Sequence, residues 1–157
     1  MARLTPPKAV IFDWDNTLVD TWPLIHRALN TTFVRYGQPQ WTLDETKQRV
    51  KHSLRDSFPA IFGEQWEEAG KDYQANYQAN HLQEVQVVPV SKAVLEFLQE
   101  KGIYTAVVSN KKGHNLRKEV EHLGWQSYFA RLVGADDAAR DKPHPDPVHL
   151  ALEGSNI

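Results

Sequence analysis

The chain of 157 residues contains no cysteine, which excludes both a disulfide framework and a metal site built from thiolates. It also lacks any apolar run of about 18 residues, the length that a membrane-spanning helix needs. The N-terminal segment 1–7 has no apolar stretch of the kind found in secretory signals. These absences predict a cytoplasmic protein with no membrane partner.

The sequence also lacks a large excess of either acidic or basic residues. Eighteen basic and 20 acidic side chains give a formal net charge of -2. Nucleic-acid-binding domains usually carry a basic surface, so we expect no nucleic-acid partner. What the sequence does contain is 41% hydrophobic residues, enough at this length for one domain with a sizeable core or a domain with an insertion.

Three short apolar runs, 9–12, 103–108 and 132–134, predict strands of a parallel sheet. Their apolar residues are consecutive rather than alternating, as in strands that are buried on both faces. Helices are predicted over 92–101, with Ser91 as the N-cap, and over 115–123. Strands that alternate with helices indicate an α/β fold with a Rossmann-like parallel sheet.

No strand pattern occurs in the segment 21–82, which therefore predicts an all-helical insertion after the first strand. Thr21 is a candidate N-cap for its first helix, and Thr42 with Glu45 fits a capping box for the second. A third helix is predicted over 64–82.

This division predicts an α/β core formed by 1–20 and 83–157 and a helical domain formed by 21–82. Four aromatic side chains are predicted to form the interior of the helical domain rather than a stacking platform for a ligand. They are Trp41, Trp66, Tyr73 and Tyr77.

Polar side chains follow each predicted strand. Asp13 and Asp15 come after the first, Ser109 and Asn110 after the second, and Lys142 after the third. Open parallel sheets bind ligands at the carboxyl ends of their strands, so we expect these five side chains to surround one phosphoryl group.

The chemistry of these residue types fits phosphoryl transfer. An ionised Asp13 can attack phosphorus without a base, and Asp15 can protonate the leaving oxygen if the neighbouring carboxylate raises its pKa. Lys142 would supply a cation, and Mg²⁺ would bridge Asp13 and the phosphate. Separately, each residue has a structural explanation, since Asp and Asn favour turns and a serine caps helices. Their order and placement together favour the functional interpretation.

Three segments resemble the motifs of the haloacid dehalogenase superfamily: VIFDWDNTLVDT at 10–21 the first, VVSN at 107–110 the second, and DKPHPDP at 141–147 the third. The resemblance covers nearly the whole chain. The helical insertion is similar to the cap domain of the phosphoglycolate phosphatase-like subgroup. The resemblance implies a Mg²⁺-dependent phosphatase that forms an aspartyl-phosphate and acts on a small phosphorylated metabolite.

By this resemblance Asp13 is the nucleophile and Asp15 the general acid and base. The Asp13 carboxylate and the Asp15 backbone carbonyl are implied metal ligands. The residues implied to bind phosphate or to position the acids are Thr17, Ser109, Asn110 and Lys142.

Two features depart from the family pattern. Asn16 replaces the usual glycine, and asparagine tolerates left-handed backbone better than other non-glycine residues. A fourth motif, an acidic pair expected after Leu152, does not occur before Ile157, so the chain resembles a truncated member with fewer metal ligands. The strand 9–12 would then be an open edge, for which we expect self-association or a partner chain. An inactive phosphate- or protein-binding fragment and a phosphomutase remain alternatives.

Two basic features have ordinary interpretations. We interpret Lys111 and Lys112 as part of a solvated turn, although they could approach a substrate. Arg55 could bind a substrate carboxylate with its planar guanidinium. We interpret it as a surface arginine.

Overall fold

The computed structural model describes residues 5–157; residues 1–4, assigned above to the core and to the N-terminal segment, lie outside the described residues. In chain order the helices and strands are β1 (Ala9–Phe12), β2 (Val19–Asp20), α1 (Trp22–Arg35), α2 (Leu43–Arg49), α3 (Leu54–Phe62), α4 (Trp66–Gln78), α5 (His81–Glu84), β3 (Gln86–Val87), α6 (Ser91–Glu100), β4 (Tyr104–Lys112), α7 (Gly113–His122), β5 (Arg131–Ala135) and α8 (Asp146–Leu152).

The predicted α/β fold is confirmed. Strands β1, β4 and β5 form a parallel sheet in the order β1-β4-β5. Successive residues of β4 enter different hydrophobic clusters: Val107 packs with Trp14 and Leu116, and Val108 packs with Val133. The sheet is covered on both faces, which explains why its strands are apolar at consecutive positions.

Strand β1 lies at one edge of this sheet. Within residues 5–157 it pairs only with β4, in a register that places Val10 beside Thr105. The expected edge position is therefore correct. What pairs with the other side of β1 stays a prediction.

Helices α1 to α5 form a unit with its own hydrophobic core. The segment leaves the sheet domain through β2 and returns through β3, and these two short strands pair antiparallel, with Val19 opposite Val87. The aromatic side chains predicted to be interior pack in this unit, with Tyr77 buried and the other three partly buried against its core. The core itself contains Leu24, Ile25, Ala28, Leu29, Phe33, Phe58, Phe62, Ala69 and Tyr77.

Several helix boundaries differ from the predictions. The capping box of Thr42 and Glu45 is present, with both hydrogen bonds formed. The predicted third helix is wrong as a continuous element, because α4 ends at Gln78 and α5 begins at His81. Ser91 is the first residue of α6 and Val90 holds the N-cap position. No helix within residues 5–157 is both long enough and apolar enough to cross a membrane.

Candidate active site

A cavity of about 660 Å³ lies between the carboxyl ends of the strands and the helical unit. The helical unit contributes apolar side chains to its wall, among them Trp22, Phe58 and Tyr73. Thr17 is exposed and is not among the residues that line the cavity. The structure brings the other predicted site residues together on this cavity, namely Asp13, Asp15, Ser109, Asn110 and Lys142.

Asp13 and Lys142 form an ion pair at the end of β1. The lysine Nζ lies 3.1 Å from Asp13 Oδ2, and the backbone N–H of Trp14 donates to Asp13 Oδ1 at 2.7 Å. The Asp13 side chain remains 46% exposed. A carboxylate oxygen of Asp13 can thus meet a ligand in the cavity beside the amine of Lys142.

Ser109 is the last buried residue of β4, and Asn110 follows it in the same strand. Ser109 Oγ accepts a hydrogen bond from the backbone N–H of Lys111 at 3.1 Å, which leaves the hydroxyl hydrogen free to be donated. Asn110 Nδ2 donates to the backbone carbonyl of Lys142 at 3.0 Å. Asn110 therefore connects the second motif to the segment that carries the lysine.

Asn16 has a left-handed backbone conformation, with φ of 59°. Glycine, the usual residue at this position in the family, adopts this conformation readily, and asparagine tolerates it. Its N–H donates to the carbonyl of Val19 at 2.6 Å, and its side-chain Oδ1 accepts from the backbone N–H of Thr21 at 3.1 Å. The asparagine thus closes the turn that follows Asp15.

One oxygen of Asp15 has two polar contacts, a hydrogen bond and an ion pair. Thr21 Oγ1 donates to Asp15 Oδ1 at 2.5 Å, and Lys111 Nζ lies 2.6 Å from the same atom. Burial raises the pKa of the Asp15 carboxyl above its usual range; Lys111 opposes the rise and the carboxylate of Glu119 adds to it. The sequence interpretation attributed this shift to the neighbouring Asp13 carboxylate; the leading cause is burial.

Comparison with known protein families shows which family this chain belongs to. The profile of the haloacid dehalogenase-like hydrolases matches residues 10–157. The chain belongs to this family.

Curated relatives within the hydrolase family carry phosphatase and pyrophosphatase names. The chain is 30% identical over 143 residues to pyrophosphatase PpaX of Anoxybacillus flavithermus, which covers 91% of this chain and 66% of that protein. It is 28% identical over 151 residues to the phosphoglycolate phosphatase of Xanthomonas campestris pv. campestris, covering 94% of this chain and 68% of that protein. The chain thus spans about two thirds of the length of these relatives.

A solved structure shows the same fold. The crystal structure of a predicted phosphoglycolate phosphatase from Haemophilus somnus superposes with a TM-score of 0.82 at 20% identity. The match covers 96% of this chain and 72% of that one.

Lys111 is a site residue that the sequence interpretation missed, because the solvated turn predicted there is wrong. Strand β4 continues to Lys112, and the side chain of Lys111 is only 5% exposed. Gly134 on β5 allows the backbone of β4 and of the start of α7 to come close, since a Cβ at that position would lie 2.5 Å from the nitrogen of Gly113 and 2.7 Å from the carbonyl oxygen of Lys111. A sequence signal did exist: Glu119 lies between Leu116 and Val120 on the apolar face of α7 and requires a buried partner.

Arg55 is not the surface residue that we predicted. Its Nε and Nη2 each donate to Asp141 at 2.7 Å, and the Asp141 side chain is 1% exposed. Such a bidentate pair is geometrically specific. Because Asp141 directly precedes Lys142, the pair connects α3 of the helical unit to the lysine of the site.

The oxygen atoms present fit a hydrated Mg²⁺. Within residues 5–157 no group of three or more His, Cys, Asp or Glu side chains could hold a metal. The Asp13 carboxylate and the Asp15 backbone carbonyl, at the end of β1, are the two oxygen ligands that the family resemblance implies. Mg²⁺ commonly binds through one or two carboxylates, substrate phosphate and several retained waters, so this donor set suits it.

Proposed function

We propose that the protein is a Mg²⁺-dependent phosphomonoester hydrolase that acts through an aspartyl-phosphate on Asp13. The observation that supports this most directly is the pairing of Asp13 with Lys142 at 3.1 Å on a cavity that Asp15 also lines. A carboxylate nucleophile, an adjacent acid and a fixed ammonium supply the positioning and charge that phosphoryl transfer requires.

In the first step an Asp13 oxygen attacks phosphorus, and the bond from phosphorus to the leaving oxygen breaks. Asp15 transfers its proton to that oxygen, so the leaving group departs as an alcohol. The raised pKa of Asp15 favours the protonated carboxyl that this step needs.

In the second step Asp15, now ionised, accepts a proton from water as the water oxygen attacks the phosphorus of the aspartyl-phosphate. The bond between Asp13 and phosphorus breaks, inorganic phosphate leaves, and both residues return to their starting states.

Positive charge and hydrogen-bond donors stabilise the phosphoryl oxygens in both steps. Lys142 and the Ser109 hydroxyl face the same cavity as Asp13 and are the residues for this task. Asn110 holds the Lys142 backbone, and Thr17, which lies outside the cavity lining, would act on the turn rather than on the substrate. Bound Mg²⁺, held by Asp13 and the Asp15 carbonyl, would neutralise charge on the phosphoryl group.

The helical unit, 21–82, would act as a cap that closes over the substrate and excludes water. The names of the curated relatives suggest small phosphorylated metabolites, phosphoglycolate among them, as substrates. We also infer a cytoplasmic location, and a strand from another segment or chain along the free edge of β1.

Turnover of p-nitrophenyl phosphate, measured with Mg²⁺ and after its removal by a chelator, tests this function. We expect turnover that requires Mg²⁺. A folded sample with no turnover of this ester or of phosphoglycolate would contradict the proposal and favour a binding module. Transfer of phosphate between positions of a bisphosphorylated sugar, without net release, would instead indicate a phosphomutase.

Replacing Asp15 by asparagine removes the proton donor while keeping the size of the side chain. We expect the rate of leaving-group release in the first turnover, before the water step that all esters share, to fall by about 100-fold or more for an alkyl phosphate, whose leaving oxygen needs a proton. The fall should be clearly smaller for p-nitrophenyl phosphate, whose leaving group departs as an anion. Equal losses on both esters would show that Asp15 is not the acid.

A further inference from the structure

The ammonium group of Lys111 has three polar partners inside the protein. Its Nζ lies 2.6 Å from Asp15 Oδ1, 2.7 Å from Glu119 Oε2 and 2.6 Å from the hydroxyl of Tyr77. The contacts with Tyr77 and Glu119 are hydrogen bonds, and the contact with Asp15 is an ion pair. Lys142, by contrast, has one ion-pair partner among residues 5–157 and a side chain that is 29% exposed. Of the two lysines on the cavity, Lys111 is therefore suited to holding protein side chains and Lys142 to binding a ligand.

Glu119 holds Lys111 in place. The Glu119 side chain is completely buried. Its Oε2 accepts from Lys111 and from Trp14 Nε1, and its Oε1 accepts from the Tyr77 hydroxyl at 2.7 Å and contacts His81 Nδ1 at 2.8 Å. A carboxylate with two partners on each oxygen has one orientation, and it restricts the position of the ammonium bound to it.

This fixed ammonium acts on one oxygen of Asp15. Together with Thr21 it places two donors on Asp15 Oδ1, while Oδ2 receives no hydrogen bond from the described residues. The Asp15 carboxyl is thus held at one oxygen and open at the other. A rotation about its last side-chain bond would break both contacts.

We propose that Lys111 is a positioning residue that, held by Glu119, keeps the Asp15 carboxyl oriented for proton exchange with the leaving oxygen and with water. This inference rests on the proposed function, in which Asp15 is the acid and base. Tyr77 and His81 contribute to this positioning, because both contact the Glu119 carboxylate. Both belong to the helical unit, so the orientation of Asp15 depends on that unit being docked on the sheet.

The test compares two esters in the full chain. For Lys111→Met we expect the rate of leaving-group release in the first turnover, before the water step that both esters share, to fall about 10- to 100-fold for an alkyl phosphate and by less than about threefold for p-nitrophenyl phosphate. Because Lys111→Met removes the ammonium that faces the buried Glu119 carboxylate, the double variant Lys111→Met/Glu119→Gln, which removes both charges, is measured beside it. Lys118→Met, an exposed lysine on α7, is the matched control.

Equal losses on both esters, in folded variants, would assign Lys111 a merely structural role and overturn the inference, while the proposed function would stand. A crystal structure of the double variant gives a readout that does not depend on turnover. We expect the Asp15 carboxyl to leave its position beside Thr21 or to occupy several orientations. An unmoved Asp15 would overturn the inference even in a protein that proves inactive.

Discussion

Asp13→Asn is expected to abolish phosphatase turnover, with a fall in kcat of more than about 1,000-fold. The amide oxygen of asparagine carries no full charge and does not attack phosphorus as a carboxylate does. The substitution also removes the negative partner of Lys142, which lies 3.1 Å away. Steady-state hydrolysis of p-nitrophenyl phosphate with Mg²⁺ measures this loss.

Asp44→Asn is the matched control, because it makes the same chemical change at an exposed position in the first turn of α2. Its rate should stay within about twofold of the unsubstituted protein. Circular dichroism would establish that both variants are folded. Asp13→Asn with a near-normal rate would refute the assignment of the nucleophile and, with it, the aspartyl-phosphate mechanism.

The sheet could be predicted because its signal is local. Four consecutive apolar residues, 9–12, and the run 103–108 identify strands buried on both faces without reference to the rest of the chain. The extension of β4 to Lys112 could not be predicted in this way. Its charged residues tolerate a strand because Lys111 contacts Asp15 and Glu119, which are contributed by distant segments.

Helix α3, which the sequence analysis does not predict, shows a second limit of prediction from local sequence. It is nine residues long and contains Pro59, which normally ends a helix. Phe58 and Phe62 bury one face of it in the core of the helical unit, and this tertiary packing outweighs the local propensity. The β2–β3 pair, with two residues in each strand, is too short to leave a periodic pattern.

The sequence motifs identified the candidate catalytic residues but not the side chains that fix their positions. Asp13, Asp15 and Lys142 stand in segments whose order along the chain is informative, and the structure places them on one cavity. The contact between Trp14 and Glu119 spans 105 residues, and no spacing rule connects such positions. A carboxylate on an apolar helix face indicates only that some buried partner exists.

The contacts of Glu119 predict a large effect on stability. Glu119→Gln should lower the free energy of unfolding by about 3 to 5 kcal/mol, since it leaves Lys111 buried without its full counter-charge. Glu121→Gln, an exposed site on the same helix, should change it by less than about 0.5 kcal/mol. Urea unfolding followed by tryptophan fluorescence measures both.

The stability effect of Glu119→Gln should also depend on pH. Burial alone would raise the pKa of Glu119, but His81, Lys111 and Tyr77 outweigh it and lower the value from 4.5 to about 2. A carboxyl with a depressed pKa stabilises the fold fully above its unfolded value and loses this contribution as pH falls through the folded value. The stability lost in Glu119→Gln should therefore be largest above about pH 5 and shrink towards about pH 2.

Asp15 complicates this comparison, because its pKa also depends on Glu119. Both proteins are therefore best compared in an Asp15→Asn background, which removes that second titration. There the difference in unfolding free energy should decline steadily below about pH 5, as the unfolded chain takes up a proton that the folded Glu119 does not. A difference that stayed constant down to about pH 2, or grew, would show that Lys111 and the donors around it do not stabilise the ionised carboxylate.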